Sequence, residues 1–397
     1  MTTLSSAPAG RSAVPLKTIP RAIFDPEHDL LRDALRRFCE REIVPHHARW
    51  EDAGCVPRDL WKKAGDAGFL CMTMPPEYGG GGADFRSSAV LIEELARIGA
   101  SGPGFSLVSD IVAPYILHYG SEDQKRTWLP KFASGESIAA IAMTEPGTGS
   151  DLAAVTTRAE RDGDDWILTG AKTFVTNGAM ADVVIVVAST QPGTASRGVS
   201  LFLVERSAPG FIGGATLKKL GMHAQDTAEF TLDRCRVPAS ALLGELNRGF
   251  KMLMGELAQE RVSIAVGAVA SAEAALAATI AYTREREAFG KRVLDFQNTR
   301  FTLASLKAQI VIARVFVDRC IELLCAGQLD AATAAMAKLE TTELQFRTLD
   351  ACLQLHGGYG YMQEYPIARA WADARVQRIY GGSNEIMREI IGRTLDA

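Results

Sequence analysis

Apolar residues follow a helical period in the first and last parts of the chain and a strand pattern between them. Leu31, Leu35 and Phe38 recur at steps of three and four residues, which places them on one face of a helix. From about residue 138, short β-branched or aromatic runs are bounded by Gly, Asn, Asp and Pro, as strands are. The predicted strands cover residues 165–169, 172–176, 183–188, 199–204 and 227–232, and the predicted C-terminal helices cover residues 257–287, 299–327, 330–356, 367–380 and 384–395.

These changes of pattern predict three domains. Residues 21–137 form a helical domain, residues 138–243 a compact β domain and residues 244–397 a bundle of long helices, with residues 1–20 left as a tail. No long helical pattern interrupts the β region, so a mostly antiparallel sheet is favoured over a parallel Rossmann sheet. The Ala-rich faces of the C-terminal helices allow close approach and favour a bundle.

Composition and charge limit the class of protein. The 397 residues are 47% hydrophobic and 23% charged, the balance of an ordinary globular protein. The net charge of −4 disfavours a nucleic-acid partner. The seven cysteines form no CxxC pair and predict buried free thiols in a reducing compartment. The sequence has no metal-ligand spacing and no run of 18 apolar residues, so we expect neither a metal site nor a membrane span.

The first twenty residues bear on the location of the protein. They are rich in Ser, Ala and Pro, carry Arg11 and Lys17, and contain no acidic residue. A disordered tail is the favoured interpretation, and an organellar transit peptide is the alternative. We therefore expect a cytoplasmic protein of bacterial type, with the mitochondrial matrix as the alternative location.

Three segments rich in glycine and hydroxyl groups lie at boundaries between predicted elements. Residues 143–151 join the helical and β regions, residues 354–360 close a long helix, and residues 380–385 precede the last helix. Glycines let backbone N–H groups approach a ligand, but an ordinary turn, a helix C-cap and a helix N-cap explain the same residues. These residues alone leave binding site and turn open for each segment.

Two charged groups are candidates for chemistry. Glu256 and Glu260 lie four residues apart and share a face of one predicted helix. A solvated face is the ordinary interpretation, but apolar neighbours such as Leu257 and Val262 raise the pKa of a carboxyl group held against them and suit it to act as a general base. A basic cluster, either a solvated surface or a phosphate site, comprises Arg284, Arg286, Lys291 and Arg292.

Nine segments, in order, resemble the acyl-CoA dehydrogenase family of flavoproteins, most closely its long-chain subgroup. They are residues 141–150, 165–168, 182–187, 224–229, 238–245, 259–261, 288–291, 354–358 and 379–387. The resemblance runs from Phe24 to the C-terminus. It implies a mainly helical α+β fold with an N-terminal helical domain, a middle antiparallel β-barrel or sandwich domain and a C-terminal four-helix bundle. It also implies FAD, bound between the last two domains and across a subunit boundary.

The resemblance implies roles for individual residues. Phe174 is expected to pack on the flavin ring, where most of the family carries Trp, and Thr176 to hydrogen-bond the flavin near N5. Arg286 and Gln297 are expected to reach the FAD of a neighbouring subunit. The expected cofactor-binding residues are Ile141, Met143, Thr144, Gly149, Ser150, Phe174, Thr176, Arg286, Phe289, Gln297, Gln354, Gly357, Gly358, Ser383 and Glu385. The expected substrate-binding residues are Ser150, Lys251, Arg261, Tyr380, Gly381 and Gly382.

The catalytic base implied by the resemblance is Glu260. Most of the family carries a glutamate directly after the tyrosine of a YEGT-like segment, but this sequence has Gly381 there. In the long-chain and isovaleryl subgroups the carboxylate comes instead from the helix that matches residues 259–261. The backbone N–H of Gly381 can still donate to the thioester carbonyl. Lys251 and Ala258 replace a tyrosine and a proline of the long-chain subgroup, so the acyl chain length stays open.

The activity implied is α,β-dehydrogenation of a medium-chain, long-chain or branched acyl-CoA to a trans-2-enoyl-CoA. Glu260 would remove the Cα proton while a hydride passes from Cβ to flavin N5, and electron-transfer flavoprotein would take the electrons. The shared cofactor site implies at least a dimer, and a homotetramer is the usual family assembly. Two alternatives stay open, an acyl-CoA oxidase of the same fold that uses oxygen and a non-catalytic acyl-CoA-binding relative.

Overall fold

The computed structural model describes residues 19–395, so the predicted tail at residues 1–20 lies outside the described residues except for its last two. The first region is helical, as its apolar pattern predicts. Asp84 accepts a hydrogen bond from the Arg86 backbone N–H and caps the fourth helix. The helices are α1 (Pro26–Phe38), α2 (His47–Ala53), α3 (Arg58–Asp66), α4 (Phe85–Arg97), α5 (Ala113–Tyr119) and α6 (Glu122–Ala133), with π-helical turns at Cys39–Ile43 and Leu107–Val112.

An eight-stranded sheet follows. Its strands are β1 (Ala139–Ala142), β2 (Arg158–Asp162), β3 (Asp165–Thr176), β4 (Val183–Ser189), β5 (Val199–Glu205), β6 (Phe211–Thr216), β7 (Thr227–Pro238) and β8 (Leu242–Leu243). They lie in the order β6-β7-β3-β2-β4-β5-β8, and β1 pairs in parallel with β4. The pairings β2–β3, β3–β7, β4–β5, β5–β8 and β6–β7 are antiparallel. The two predicted strands at residues 165–169 and 172–176 form one strand, β3, whose register against β7 shifts twice.

Strand β4 joins the sheet to the N-terminal helices. All of its residues are buried, and successive side chains of a strand point to opposite faces. The odd-numbered residues from Val183 to Val187 pack into the core of the helical region, whereas the even-numbered residues from Val184 to Ala188 pack into the core of the sheet. Burial on both faces explains why this strand is a continuous apolar run rather than an alternating one.

Long helices form the C-terminal region. They are α7 (Gly249–Glu285), α8 (Gln297–Cys325), α9 (Ala331–His356), α10 (Pro366–Ala374) and α11 (Asn384–Gly392), and the short strands β9 (Glu287–Ala288) and β10 (Lys291–Arg292) pair between α7 and α8. Helix α7 starts at Gly249 rather than at the predicted residue 257, because Met252 and Leu253 pack into the N-terminal core. Among the described residues α7 is the one helix long and apolar enough to cross a membrane, but half of the tested stretch is buried inside the protein, as in the core helix of a bundle.

Buried ion pairs fix α4 to α7 and α8. Arg314 of α8 donates to Glu93 of α4 at 2.9 Å and to Glu273 of α7 at 3.0 and 2.6 Å. Arg21 also donates to Glu93, at 3.0 Å. Because each charge that leaves water here gains partners, burial does not leave an isolated ion. The pairs hold the N-terminal helices against the C-terminal bundle, along the helix that carries Glu260.

The prediction of buried free thiols is correct for five of the seven cysteines and wrong for two. Cys55 is half-buried, and Cys325 is exposed at the last residue of α8. Apolar neighbours in sequence predicted burial for both, but Cys325 lies at the end of its helix, where fewer neighbouring elements cover it. The buried cysteines are Cys39, Cys71, Cys235, Cys320 and Cys352.

Candidate active site

Glu260 is buried on the face of α7 that packs against α5. The hydroxyl of Tyr115 on α5 donates a hydrogen bond to Glu260 Oε1 at 3.1 Å. Burial raises the pKa of the Glu260 carboxyl to about 7; the Tyr115 hydrogen bond opposes this shift, and the neighbouring carboxylate of Glu256 adds to it. A carboxyl group with a pKa near neutrality can both accept and release a proton at physiological pH.

A second carboxylate, Glu256, lies one helical turn before Glu260 on α7. Its side chain is 9% exposed, and its Oε1 lies 2.9 Å from Nδ1 of His118, whose side chain is 54% exposed. The hydrogen bond to Glu256 raises the pKa of the His118 imidazole. A buried carboxyl group is therefore followed by a second carboxylate and then by a histidine at the surface.

The loop before α11 brings Gly381 against α7. Gly381 has a φ of +62°, and a Cβ built there would lie 2.4 Å from Cδ1 of Ile264 on α7. A glutamate at this position would meet an unfavourable backbone conformation as well as this contact. The loop is held by the buried Lys338 of α9, whose Nζ donates to the Gly382 carbonyl at 2.9 Å and to Asn384 Oδ1 at 2.8 Å.

A buried ion pair anchors segment 143–151 to the sheet. Nζ of Lys172 on β3 lies 2.9 Å from Oε1 of Glu145, and both side chains are fully enclosed. Glu145 also accepts hydrogen bonds from the backbone N–H groups of Thr156 and Thr157, at 2.7 and 2.9 Å. Burial opposes ionisation of Glu145, but the charge of Lys172 and these donors lower its pKa to about 2. The anchored segment carries the expected cofactor-binding residues Met143, Thr144, Gly149 and Ser150.

Phe174 and Thr176 lie in the irregular second half of β3. Phe174 has a φ of +57°, lies where the register against β7 shifts, and is 68% exposed. A positive φ is costly for a residue with a large side chain, and such strain concentrates at functional sites. The backbone thus presents an aromatic ring to the outside of the chain, where a planar ligand can stack on it. Ile141 on β1 and Thr176 are half-buried.

A cavity of about 450 Å³ lies at the C-terminal end of α7. Arg286, Gly357 and Gly358, three of the cofactor-binding residues that the resemblance implies, line it. Gln297 and Gln354 are exposed but do not line this cavity. Phe289, at the turn between β9 and β10, is 96% exposed. The cavity thus offers a ligand the guanidinium group of Arg286 and the backbone of Gly357 and Gly358. The nearby turn between β9 and β10 offers the exposed ring of Phe289.

The remaining predicted residues occupy different surroundings. Lys251 is exposed on the first turn of α7, whereas Arg261 is buried and its Nε has no hydrogen-bond partner among the described residues. Ser383 accepts a hydrogen bond from a backbone N–H and caps α11, and Glu385 is exposed in the first turn of that helix. The hydroxyl of Tyr380 donates to a neighbouring glutamine at 2.7 Å.

Sequence reasoning missed the groups that hold these residues in place. Tyr115 is 145 positions from its partner Glu260, and no local signal connects the two. Lys172 and Lys338 resemble ordinary solvated lysines, yet both are buried. Their signal was present in the sequence: Lys338 lies among alanines and leucines of a buried helix face, and Lys172 lies within a β-branched strand.

Fold and site together define a protein of three structural regions, with a buried carboxyl group of raised pKa and an exposed aromatic and glycine-rich surface. Three family profiles match the chain: acyl-CoA dehydrogenase, N-terminal domain at residues 25–136, middle domain at residues 140–235, and C-terminal domain at residues 247–395. The chain belongs to the acyl-CoA dehydrogenase family and is an oxidoreductase. The predicted mainly helical α+β fold is confirmed.

Similar proteins come from animals and bacteria. The chain is 52% identical over 377 residues to the mitochondrial long-chain specific acyl-CoA dehydrogenase of Sus scrofa. The aligned residues cover 94% of this chain and 88% of that protein. An acyl-CoA dehydrogenase structure from Geobacillus kaustophilus has a TM-score of 0.94 and 48% identity, covering 95% of this chain and all of the other. A glutaryl-CoA dehydrogenase from Mycobacterium smegmatis, solved in complex with FADH2, has a TM-score of 0.88 and 32% identity, covering 94% and 95% of the two chains.

FAD is the cofactor of this family, and the described residues fit it. Gly149 and Gly358 have no positive φ, and a Cβ built at either would meet no atom within 4 Å. Nothing in the chain's own packing therefore requires glycine at these positions, and the missing side chains leave room for a group outside the chain. The exposed ring of Phe174 and the guanidinium of Arg286 supply stacking and a positive charge for such a group.

Proposed function

We propose that the protein converts a medium-chain, long-chain or branched acyl-CoA to a trans-2-enoyl-CoA, with Glu260 as the base that removes the Cα proton. The observation that carries this proposal is the buried carboxyl group of Glu260, whose pKa of about 7 matches the task of a general base. Gly381 supports the same assignment, because its positive φ disfavours a glutamate at the alternative position.

The chain's residues bind and orient the cofactor in this proposal. When bound, FAD would supply a hydride acceptor. Phe174 would stack on the flavin, Thr176 would hydrogen-bond its edge, and Arg286 would offset the charge of the pyrophosphate. The remaining proposed contacts are Ile141, Met143, Thr144, Gly149, Ser150, Phe289, Gln297, Gln354, Gly357, Gly358, Ser383 and Glu385.

The substrate is oriented by the loop before α11 and by the start of α7. The Gly381 backbone N–H donates to the thioester carbonyl, which stabilises the negative charge that develops on that oxygen as the Cα proton leaves. Lys251 is exposed at the beginning of α7, where it can meet phosphate groups of CoA. Ser150, Arg261, Tyr380 and Gly382 complete the proposed substrate contacts.

The electron acceptor, assembly and location belong to the same proposal. Electron-transfer flavoprotein takes the electrons, and the protein is a homotetramer, or at least a dimer. The support for assembly is the exposure of Phe289, Arg286 and Gln297 at one end of the bundle, since such a surface is completed by a second copy. We propose domain boundaries at residues 21–137, 138–243 and 244–397. We propose that the protein is cytoplasmic, with the mitochondrial matrix as the alternative location.

Anaerobic mixing of the FAD-loaded protein with acyl-CoAs of four to eighteen carbons, straight and branched, tests this function. Bleaching of the flavin absorbance by one part of the series, with the matching enoyl-CoA as product, is the expected result. A purified protein that binds no FAD, or whose flavin no acyl-CoA reduces, would instead support the non-catalytic relative. Rapid reoxidation by oxygen with peroxide as the main product would support the oxidase.

The pH dependence of kcat/KM should report the ionisation of Glu260. The carboxylate is the active form of the base, so activity rises with pH as this group loses its proton. Because burial raises its pKa to about 7, the ascending limb of the profile should have its midpoint near that value rather than near the ordinary 4.5. A limb centred near 4.5, measured with a substrate that does not itself titrate, would contradict a desolvated base.

A further inference from the structure

We propose that Glu256 and His118 form the route by which the proton taken up by Glu260 reaches solvent. The inference rests on the proposed dehydrogenation, in which Glu260 holds the Cα proton after each turnover. What points to it is a set of proton-carrying side chains that runs from the buried Glu260 carboxyl group on α7, through Glu256 one helical turn away, to a histidine at the surface on α5.

The first step of the route lies along α7. Glu256 and Glu260 are one turn apart, and side chains at this spacing on a helix have Cβ atoms roughly 5–6 Å apart. The Tyr115 hydroxyl donates to Glu260 at 3.1 Å and lies within electrostatic reach of both carboxylates. The two carboxyl groups therefore share one enclosed polar site between α5 and α7, in which the charge of Glu256 acts on Glu260.

The second step crosses to α5 and reaches water. Nδ1 of His118 lies 2.9 Å from Oε1 of Glu256, and the exposed fraction of the side chain rises from 9% at Glu256 to 54% at His118. Besides Glu260, the charged or titratable groups that face this pair are Tyr115 and Tyr119 on α5 and Lys125 on α6; Tyr119 hydrogen-bonds Glu256, and Lys125 lies near His118. A proton that reaches His118 is thus in contact with solvent.

The need for such a route follows from the burial of Glu260. A bound acyl chain adds apolar cover to a carboxyl group that the protein already shields from water, so direct release would have to wait until the ligand leaves. A relay of ionisable side chains removes this delay. Glu256 and Glu260 are both within the polar site, and only His118 of the three reaches the surface.

The proton balance is complete with these groups alone. The Cα–H bond breaks and its proton goes to the Glu260 carboxylate. That proton passes to the Glu256 carboxylate, whose hydroxyl then donates to Nδ1 of the neutral, Nε2-protonated His118 imidazole. The imidazole accepts the Glu256 proton at Nδ1 and releases its Nε2 proton to water, and proton exchange with solvent returns the exposed ring to the Nε2-protonated tautomer. Both carboxylates end ionised, and one proton has moved to solvent.

Hydrogen exchange at Cα separates this role from a structural one. The probe is 3-thiadodecanoyl-CoA, in which sulfur replaces Cβ, so that Glu260 can remove and return the Cα proton but no hydride can leave. The FAD-loaded protein is incubated with the probe in D2O, and deuterium at Cα is followed by mass spectrometry. We expect His118→Ala and Glu256→Gln to slow exchange by about tenfold or more, with probe binding measured separately by the change in flavin absorbance.

Imidazole added to the buffer should restore exchange in His118→Ala but not in Glu256→Gln, because it can replace the exposed base and not the buried acid. His223→Asn, at an exposed histidine on the β domain side, is the matched control and should exchange at the wild-type rate. Wild-type exchange rates in both test variants, or a loss in His118→Ala that imidazole does not restore, would overturn the relay. Absence of exchange in the wild-type protein would overturn the proposed function of Glu260 itself.

Discussion

Replacement of Glu260 by glutamine is expected to lower the rate of acyl-CoA dehydrogenation by about 10²- to 10⁴-fold, the range that a positioned general base contributes. Glutamine keeps the size of the side chain and an oxygen that accepts the Tyr115 hydrogen bond, but it cannot take up the Cα proton. FAD should remain bound, because Glu260 is not among the proposed cofactor contacts. Single-turnover reduction of the flavin by an acyl-CoA measures the effect directly.

Two further variants make the result specific. Glu389→Gln changes an exposed glutamate on α11 that pairs with Arg393, and it should reduce the flavin at the wild-type rate. Glu260→Asp keeps a carboxylate but shortens the side chain by one methylene. Its rate of flavin reduction should lie between those of Glu260→Gln and Glu389→Gln. The assignment of the base would be wrong if Glu260→Gln dehydrogenated acyl-CoA at a near-normal rate with its FAD in place.

Local pattern predicted the long C-terminal helices and strands β3, β4, β5 and β7, but it missed strands β1, β2 and β6 and did not predict where elements meet. The apolar run of β4 predicted a strand, yet its two buried faces depend on the N-terminal helices that cover one of them. Helix α7 was predicted from residue 257, because Gly249 and Gly255 interrupt the helical pattern before it, although Met252 and Leu253 pack into the N-terminal core. Strand β3 was divided in two because Gly170 interrupts its β-branched pattern, although pairing with β7 carries it through.

In the candidate site, too, local features could be predicted from the sequence, whereas contacts between distant elements could not. Apolar neighbours in sequence predicted a raised pKa for Glu260, since α7 itself supplies part of the apolar surroundings. Tyr115 and His118 could not be predicted, because they lie on α5, 145 and 138 positions from their partners on α7. The positive φ of Phe174 could not be predicted either. The alternation of apolar and polar residues predicts a strand but not a single residue of that strand with an irregular backbone conformation.

Replacement of Lys172 by methionine is expected to lower the free energy of unfolding by about 3–5 kcal/mol, the usual cost of removing one partner from a buried ion pair. Methionine fills similar volume but leaves Glu145 enclosed without its cation. Because Lys172 holds the carboxyl that fixes segment 143–151, the variant should also lose FAD more readily. Urea unfolding of the FAD-free protein gives the stability, and flavin fluorescence on dilution gives FAD release.

The double variant Glu145→Gln/Lys172→Met separates charge from packing. It removes both ions, so it should recover much of the stability lost in Lys172→Met, whereas Arg393→Met, which breaks an exposed pair, should cost less than about 1 kcal/mol.

The pKa of Glu145 is lowered from 4.5 to about 2, so its ionised form stabilises the fold above pH 4.5 and this contribution is lost as the pH falls toward 2. The stability difference between wild type and Lys172→Met should therefore narrow below pH 4.5, because protonation of Glu145 relieves the unpaired charge in the variant and weakens the pair in the wild type. A difference that is independent of pH would show that packing, and not the ion pair, anchors the segment.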